Sequence, residues 1–207
     1  MRSKAKINEM LVWRLIDMIK GLCNEMQDPH GKARNLDYYP FIPFSQPSLL
    51  VELFSQARKY LWAKGIHKPK FLDVGCGPGT IVVLADTIGF NAYGIDYMGK
   101  YVKIAKAAMR EAYFYETNRE NIIKADALNF KRYDQFHVIY YYRPIADSKI
   151  MHELYKKIMK DMKIGSLFIP MNFGHPAHHL PKAFKQIDKP GCIVEKIGRV
   201  TGEEKIA

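Results

Sequence analysis

Residues 71–80 read FLDVGCGPGT, an apolar run that stops at an acid and then places three glycines in five positions. A run of this kind is a buried β-strand reaching its end, and the glycines define the turn after it. Glycine adopts positive φ without penalty and lets another group press against bare main chain, so alternating glycines make a tight turn with an open wall. The helix predicted from about Thr80 adds unpaired N–H groups at its first turn. The spacing is G-x-G-x-G. A dinucleotide site uses G-x-G-x-x-G and a triphosphate loop ends in Gly-Lys-Ser/Thr, so pyrophosphate and triphosphate ligands are both disfavoured.

The surrounding chain fixes the architecture that would hold this turn. From Lys70 onward short apolar runs alternate with longer helical segments. Residues 71–74, 91–95, 121–124, 136–142 and 166–171 read as strands, and 80–88, 99–115 and 145–162 as helices; the link from the third strand to the fourth is short and carries no clear helix. Parallel neighbours need crossover connections, so this alternation predicts an α/β fold, a doubly wound, mostly parallel sheet with helices on both faces. Toward the C-terminus only Cys192 to Ile197 reads as a further strand, which leaves the last strand of such a sheet in question. The division expected is an N-terminal extension over residues 1–46 and a main domain over 47–207. In the extension, residues 5–27 carry Leu11, Leu15, Met18 and Leu22 at helical spacing. The aromatic and proline-rich stretch 38–46 comes next, and a second helix begins near Pro47 and ends at Gly65.

Composition narrows the setting. Thirty-two Lys and Arg face 21 Asp and Glu, a net charge of +11, which favours polyanionic or acidic partners. The charges are spread along the chain with no block of like sign. Cys23, Cys76 and Cys192 are odd in number and form no C-x-x-C pair, so neither a disulfide framework nor a zinc site is expected, and a reducing, cytoplasmic setting fits. No uninterrupted apolar run is long enough to span a bilayer. The histidines His175, His178 and His179 lack acids or cysteines at ligand spacing, and no metal is expected.

Hydrophobic-hydrophobic-Asp-x-Gly-x-Gly-x-Gly resembles the first motif of the class I, Rossmann-like methyltransferases that use S-adenosyl-L-methionine. Two further signals stand at the ends of the next strands in the same order. Tyr93-Gly94-Ile95-Asp96-Tyr97 puts an acid 17 positions beyond Gly79, where a carboxylate can accept from both ribose hydroxyls; the alternative role for Asp96 is a cap on the helix from Gly99. Lys124-Ala125-Asp126-Ala127-Leu128 stands after the third strand. The resemblance implies that Asp73 holds the methionine ammonium, that Gly75 and Gly77 line the methionine and ribose, and that Cys76 and Gly79 complete the loop. It also implies that Tyr97 stacks on adenine, that Asp126 accepts from the adenine amine, and that main chain at Ala127 meets a ring nitrogen. Cys76 itself reads as a small filler, because no histidine neighbours it in sequence and transfer from a sulfonium needs no covalent step. A turn acid is the alternative for Asp126.

The acceptor side is less defined. The fourth strand ends at Tyr142-Arg143-Pro144, in place of the Asp/Asn/Ser-Pro-Pro-aromatic run of many amino-group methyltransferases of this fold, so DNA base amines are disfavoured. Tyr142, Arg143 and Pro144 are the residues placed for substrate contact. Tyr39, in 38-YYPFIPFSQPS, joins them through a likeness of that stretch to the Pro-Phe/Tyr-Val-Pro-Thr/Ser segment of some seven-strand protein lysine methyltransferases; tyrosine rings suit a lysine ammonium. A lid without a substrate role is the competing reading of that stretch. The expectation is an S-adenosyl-L-methionine-dependent methyltransferase, with a protein lysine favoured as acceptor, RNA and a small molecule as alternatives, and an inactive cofactor-binding partner subunit as the non-enzymatic reading.

Overall fold

The strands form where the apolar runs predict them, because a strand covered on both faces needs no polar side. In a computed structural model the described residues are 47–112, 121–142, 144–145, 147–171, 181–188 and 192–200. The expected helix at 5–27, the stretch 38–46 and the polar end 201–207 lie outside them. The elements run α1 (Pro47–Ala63), β1 (Lys70–Val74), α2 (Thr80–Ile88), β2 (Asn91–Asp96), α3 (Gly99–Ala112), β3 (Ile122–Lys124), a 3-10 turn (Tyr133–Gln135), β4 (Val138–Tyr142), α4 (Ser148–Asp161), β5 (Leu167–Met171), β6 (Phe184–Gln186) and β7 (Val194–Lys196).

Seven strands form one sheet in the order β3-β2-β1-β4-β5-β7-β6. The first five are parallel, and β7 enters antiparallel between β5 and β6. The chain winds outward from β1 to β3, then returns to place β4 on the other side of β1. Strand order therefore reverses between β1 and β4, and in an open α/β sheet the ligand crevice lies at the carboxyl ends of those two strands.

Alternation along β1 sends successive side chains to opposite layers. Phe71 packs with Leu50, Leu53 and Phe54 of α1 and with Val82 and Val83 of α2, in the same cluster as Tyr140. Leu72 and Val74 face the other way and share a cluster with Ile139, Tyr141 and Phe168, closed by Leu154, Ile158 and Met159 of α4. Edge-to-face rings hold α1 to the sheet, with Phe54 4.9 Å from Phe71 and 5.5 Å from Tyr140.

Three differences from the sequence reading have an identifiable physical cause. The last strand in question is present: β6 is the short edge segment FKQ, whose Lys185 faces solvent, so it carries no apolar run that periodicity could reveal. Helix α4 starts at Ser148 and not at Ile145, because the Asp147 carboxylate accepts from the Lys149 and Ile150 N–H groups at 2.8 and 2.9 Å and fixes the start there. Strand β4 pairs from Val138, two residues later than its apolar run suggests; Phe136 and Tyr133 instead belong to the 3-10 turn and its end, which bridge β3 to β4.

Buried charge on β7 ties the layers together. The Lys196 ammonium donates to the Lys160 and Met162 carbonyls at 2.7 and 2.6 Å, closing the C-terminal end of α4. Glu195, next to it, accepts from the Tyr60 hydroxyl at 2.6 Å and from Lys64, which fixes the C-terminal end of α1. Among the described residues no helix is long and apolar enough to cross a membrane.

Candidate functional site

At the end of β1 the chain turns through Gly75, Gly77 and Gly79, with φ of 75°, 51° and 88°. A side chain at these values is strained, so the turn itself requires glycine. The Gly75 and Cys76 N–H groups both donate to the Ile95 carbonyl at 2.9 Å, which presses the turn against the end of β2. Close packing adds a second requirement that the sequence does not announce. A Cβ on Gly75 would stand 2.4 Å from Pro144 Cβ, and one on Gly79 would stand 2.9 Å from Ala105 Cβ on α3. The bare backbone expected to face a ligand therefore also seats the loop after β4 and the third helix.

Asp96 closes β2 at 8% exposure. Its Oδ2 accepts from the Gly77 N–H at 2.8 Å and its Oδ1 from the Met98 N–H at 2.7 Å. One carboxylate thus fastens the glycine turn on one side and the approach to α3 on the other. The two sequence readings, ligand acid and helix-start acid, are compatible in this residue, since each carboxylate oxygen keeps acceptor capacity beyond one hydrogen bond. Burial pushes its carboxyl above the usual range, while the Met98 and Gly77 N–H groups oppose that shift.

Asp73 sits one strand inward, between Gly94 of β2 and Tyr140 of β4 in register. It is 3% exposed, and among the described residues no hydrogen bond reaches its carboxylate. Burial first, and then the nearby charge of Asp96, holds its carboxyl well above the ordinary range. A buried carboxylate without a donor costs free energy unless it keeps its proton or meets a cation. The site is therefore suited to receive positive charge.

The Cys76 thiol lies in the same environment. Burial, Asp73 and Asp96 all push it well above its ordinary value, so it stays protonated and does not act as a nucleophile. Two hydroxyls that motif spacing does not single out are also here: Tyr140 Oη and Thr80 Oγ1 are buried without a hydrogen-bond partner among the described residues. No local signal marks them, because Tyr140 joins Asp73 only through strand pairing and Thr80 only through the turn.

Further along the edge, the Ala125 N–H donates to the Asp96 carbonyl at 3.0 Å, which brings the loop after β3 beside the loop after β2. In that loop the Asp126 carboxylate accepts from the Leu128 N–H at 2.9 Å and the Asn129 amide at 2.6 Å, and the Tyr133 hydroxyl donates to the Ala127 carbonyl at 2.8 Å. Ala127 is thereby held within a hydrogen-bonded turn. Tyr97 is 57% exposed, directly after Asp96. Tyr142 and Pro144 are half-buried at the end of β4, Pro144 against Gly75. Arg143, Tyr39 and the histidines at 175, 178 and 179 lie outside the described residues, among which no group of His, Cys, Asp or Glu could hold a metal.

Asp73, the glycine turn, Asp96, Asp126 and Pro144 thus lie along one end of the sheet, with the strand reversal between β1 and β4 beside the turn. A solved RNA methyltransferase from Salinibacter ruber, in complex with S-adenosyl-L-homocysteine, shares this fold with TM-score 0.51 at 16% identity, over 79% of this chain and 99% of that one. Magnesium protoporphyrin IX methyltransferase from Synechocystis PCC 6803, with bound SAM, gives TM-score 0.46 at 16% identity over 66% of each chain. For a SAM-dependent methyltransferase from Geobacter sulfurreducens the values are 0.44 and 18%, over 60% of this chain and 47% of that one. No curated protein sequence matches. A family model described as a methyltransferase domain matches residues 67–200, a span that contains all seven strands and the glycine turn, and the chain belongs to that family.

Proposed function

We propose that this S-adenosyl-L-methionine-dependent methyltransferase holds its cofactor over the glycine turn, at the carboxyl ends of β1, β2 and β3, and transfers the methyl group to RNA. The observation that carries the placement is the pairing of Asp96, fastened to the turn and to Met98 by two main-chain N–H groups, with Asp73, buried and without a donor. A ligand with a vicinal diol and an ammonium group fits both. The diol would donate to acceptor positions left on Asp96, and the ammonium would supply the positive charge that favours ionised Asp73. Tyr97 offers an exposed ring for a base to lie against, and the turn at Asp126 and Ala127 presents an acceptor and main chain to the base's edge. S-adenosyl-L-methionine and its demethylated product carry all three features, and the Salinibacter protein is in complex with that product.

The cofactor supplies a methyl group already activated on a sulfonium. The chain's own part is to hold the acceptor in line with that methyl and to exclude water. Pro144, packed on Gly75, brings the end of β4 over the turn, and Tyr142 stands beside it. We assign Tyr142, Arg143 and Pro144 to the acceptor side. Tyr39 is assigned there on sequence alone.

For the acceptor we favour RNA over the protein lysine that the aromatic stretch 38–46 suggests. The excess of 32 basic over 21 acidic residues is a property of the whole chain and suits a polyanion. The Salinibacter protein, an RNA methyltransferase, is in keeping with this choice.

Titration calorimetry with S-adenosyl-L-homocysteine, on wild type and on Asp96→Ala, tests the cofactor site. Methyl-labelled cofactor incubated with RNA, protein and small-molecule fractions of a lysate tests the acceptor. Label in the RNA fraction is expected. Label in protein alone restores the lysine reading, and calorimetry without heat of binding sinks the cofactor assignment.

A further inference from the structure

The amino edge of the sheet, opposite the proposed cofactor crevice, gathers positive charge that the described residues leave largely unneutralised. Residues 58–70, RKYLWAKGIHKPK, run from the last turns of α1 into β1 and hold Arg58, Lys59, Lys64, Lys68, Lys70 and His67 with no acid. Pairing of β1 with β4, and of β4 with β5, then sets Lys70 beside His137 and Lys163. The Lys70 N–H donates to His137 Nδ1 at 3.0 Å, and the His137 N–H to the Lys70 carbonyl at 2.9 Å. After burial, the charges of Lys163 and Lys70 are what hold the His137 imidazole below its ordinary value, and Lys70 does the same to Lys163, opposed there by Asp134. These groups repel one another, and none of Lys68, Lys70 and Lys163 takes part in an ion pair of the described residues.

Neighbouring cations show that the fold can neutralise charge where it needs to. Lys64 pairs with Glu195, and Lys196 is consumed by carbonyls of the α4 end. Lys68, Lys70 and Lys163 are left without an ion pair among the described residues. On the same connection Trp62 is 52% exposed, with Arg58 5.5 Å from its ring centroid and the His67 ring 4.3 Å away. Those two contacts hold the indole in place on the surface. A fixed aromatic ring on the connection that carries Lys68 and Lys70 supplies the two elements that bind single-stranded nucleic acid, cations tracking phosphates and a ring stacking on a base.

We propose that the α1–β1 connection and the amino edge of the sheet, through Trp62, Lys68, Lys70 and Lys163, bind a single-stranded segment of the RNA whose acceptor base reaches the opposite edge. The proposal rests on the RNA methyltransferase reading for the identity of the polymer, and its binding surface is separate from the cofactor crevice. Helix α1, 17 residues at 1.5 Å per residue, is roughly 25 Å long and ends at the amino edge, and the crevice lies at the opposite ends of the strands. An extended or folded RNA covers such a distance; a free nucleotide does not. The protein would therefore take its acceptor within a polymer and discriminate against the isolated nucleoside.

Fluorescence anisotropy of a labelled RNA of mixed sequence, about 15 nucleotides long and read across a salt series, tests this directly. The expected result is binding by the full chain that weakens steeply with salt. Lys68→Gln, Lys70→Gln and Lys163→Gln combined should weaken binding about tenfold or more and flatten the salt dependence. Trp62→Ala should weaken it about tenfold at each salt concentration with the salt dependence unchanged. Retained S-adenosyl-L-homocysteine binding in each variant shows that it is folded; because Trp62 is exposed, Trp62→Phe serves as a second variant and should restore most of the affinity. RNA binding unaffected by both sets of substitutions overturns the proposal, as does equal competition by heparin together with a silent Trp62→Ala, which marks plain cation exchange. If wild-type protein binds RNA at this surface but shows no S-adenosyl-L-homocysteine binding, the cofactor reading fails and the surface stands.

Discussion

The two edges of the sheet treat charge in opposite ways. At the carboxyl edge Asp73 and Asp96 lie buried within each other's field, and Asp73 has no donor among the described residues. At the amino edge Lys70, His137 and Lys163 crowd together, half-buried, with Asp134 as partial relief. Both arrangements cost free energy in the protein alone, but in unequal measure. The two carboxyls are the more deeply buried, so the cost is larger there and pushes the Asp73 carboxyl up; Lys70, His137 and Lys163 are half-buried, so their repulsion is partly screened. A buried like-charge pair selects a small cationic ligand that can enter a crevice. A half-exposed cationic cluster suits a long polyanion that stays in water.

The largest effect is expected where packing and backbone conformation coincide. Gly75→Ala combines positive φ with a Cβ placed against Pro144, and should destabilise the protein by roughly 2–5 kcal/mol in urea unfolding. A loss below about 1 kcal/mol would mean that the loop after β4 moves freely from the turn. Next in size is Asp96→Ala, which removes the acceptor for both the Gly77 and Met98 N–H groups. Affinity for S-adenosyl-L-homocysteine should fall about hundredfold by calorimetry, as charge-assisted hydrogen bonds to both loop and ligand are lost.

Asp73→Asn separates ligand binding from stability. With its carboxyl held above the ordinary range, native Asp73 keeps a proton that the unfolded chain gives up, so wild-type stability falls as pH rises above about 4. The asparagine variant should lose that slope and be more stable by about 1 kcal/mol at neutral pH, while binding the ligand about tenfold more weakly. Equal pH slopes in the two proteins would show that Asp73 is ionised and has found a partner.

The smallest effect belongs to the amino edge. Lys163→Gln removes one of the charges that depress His137, so the imidazole should titrate closer to its ordinary pKa in an NMR pH series. His137 held low makes the native protein bind fewer protons than the unfolded chain, so wild-type stability falls as pH drops below about 6.5, and the variant should fall less. An unchanged His137 titration would show that hydration already cancels the repulsion.

Much of the carboxyl edge was legible because its signals are local. Asp73, the three glycines, Asp96 and Asp126 each stand where an apolar run ends, and a strand end is visible in a window of a few residues. Strand β6 was not legible, because FKQ at an edge buries one residue and owes its pairing to β7. The 3-10 turn before β4 and the capping of α4 by Asp147 shifted two boundaries for similar reasons: a phenyl ring or a carboxylate decides an end only when its partners are in place. Neither the contact between Gly75 and Pro144 nor the unpartnered Tyr140 and Thr80 hydroxyls had a sequence signature.

By itself the sequence determined the alternation of strands and helices, the glycine turn and the order of acids along the strand ends, since periodicity and backbone preference act between near neighbours. Tertiary structure decided which of those residues feel one another. Placing β4 beside β1 brought Tyr140 next to Asp73, Pro144 onto Gly75, and His137 next to Lys70, all pairs some 67 to 69 positions apart in the chain, and only a sheet whose order reverses at β1 converts such separation into contact.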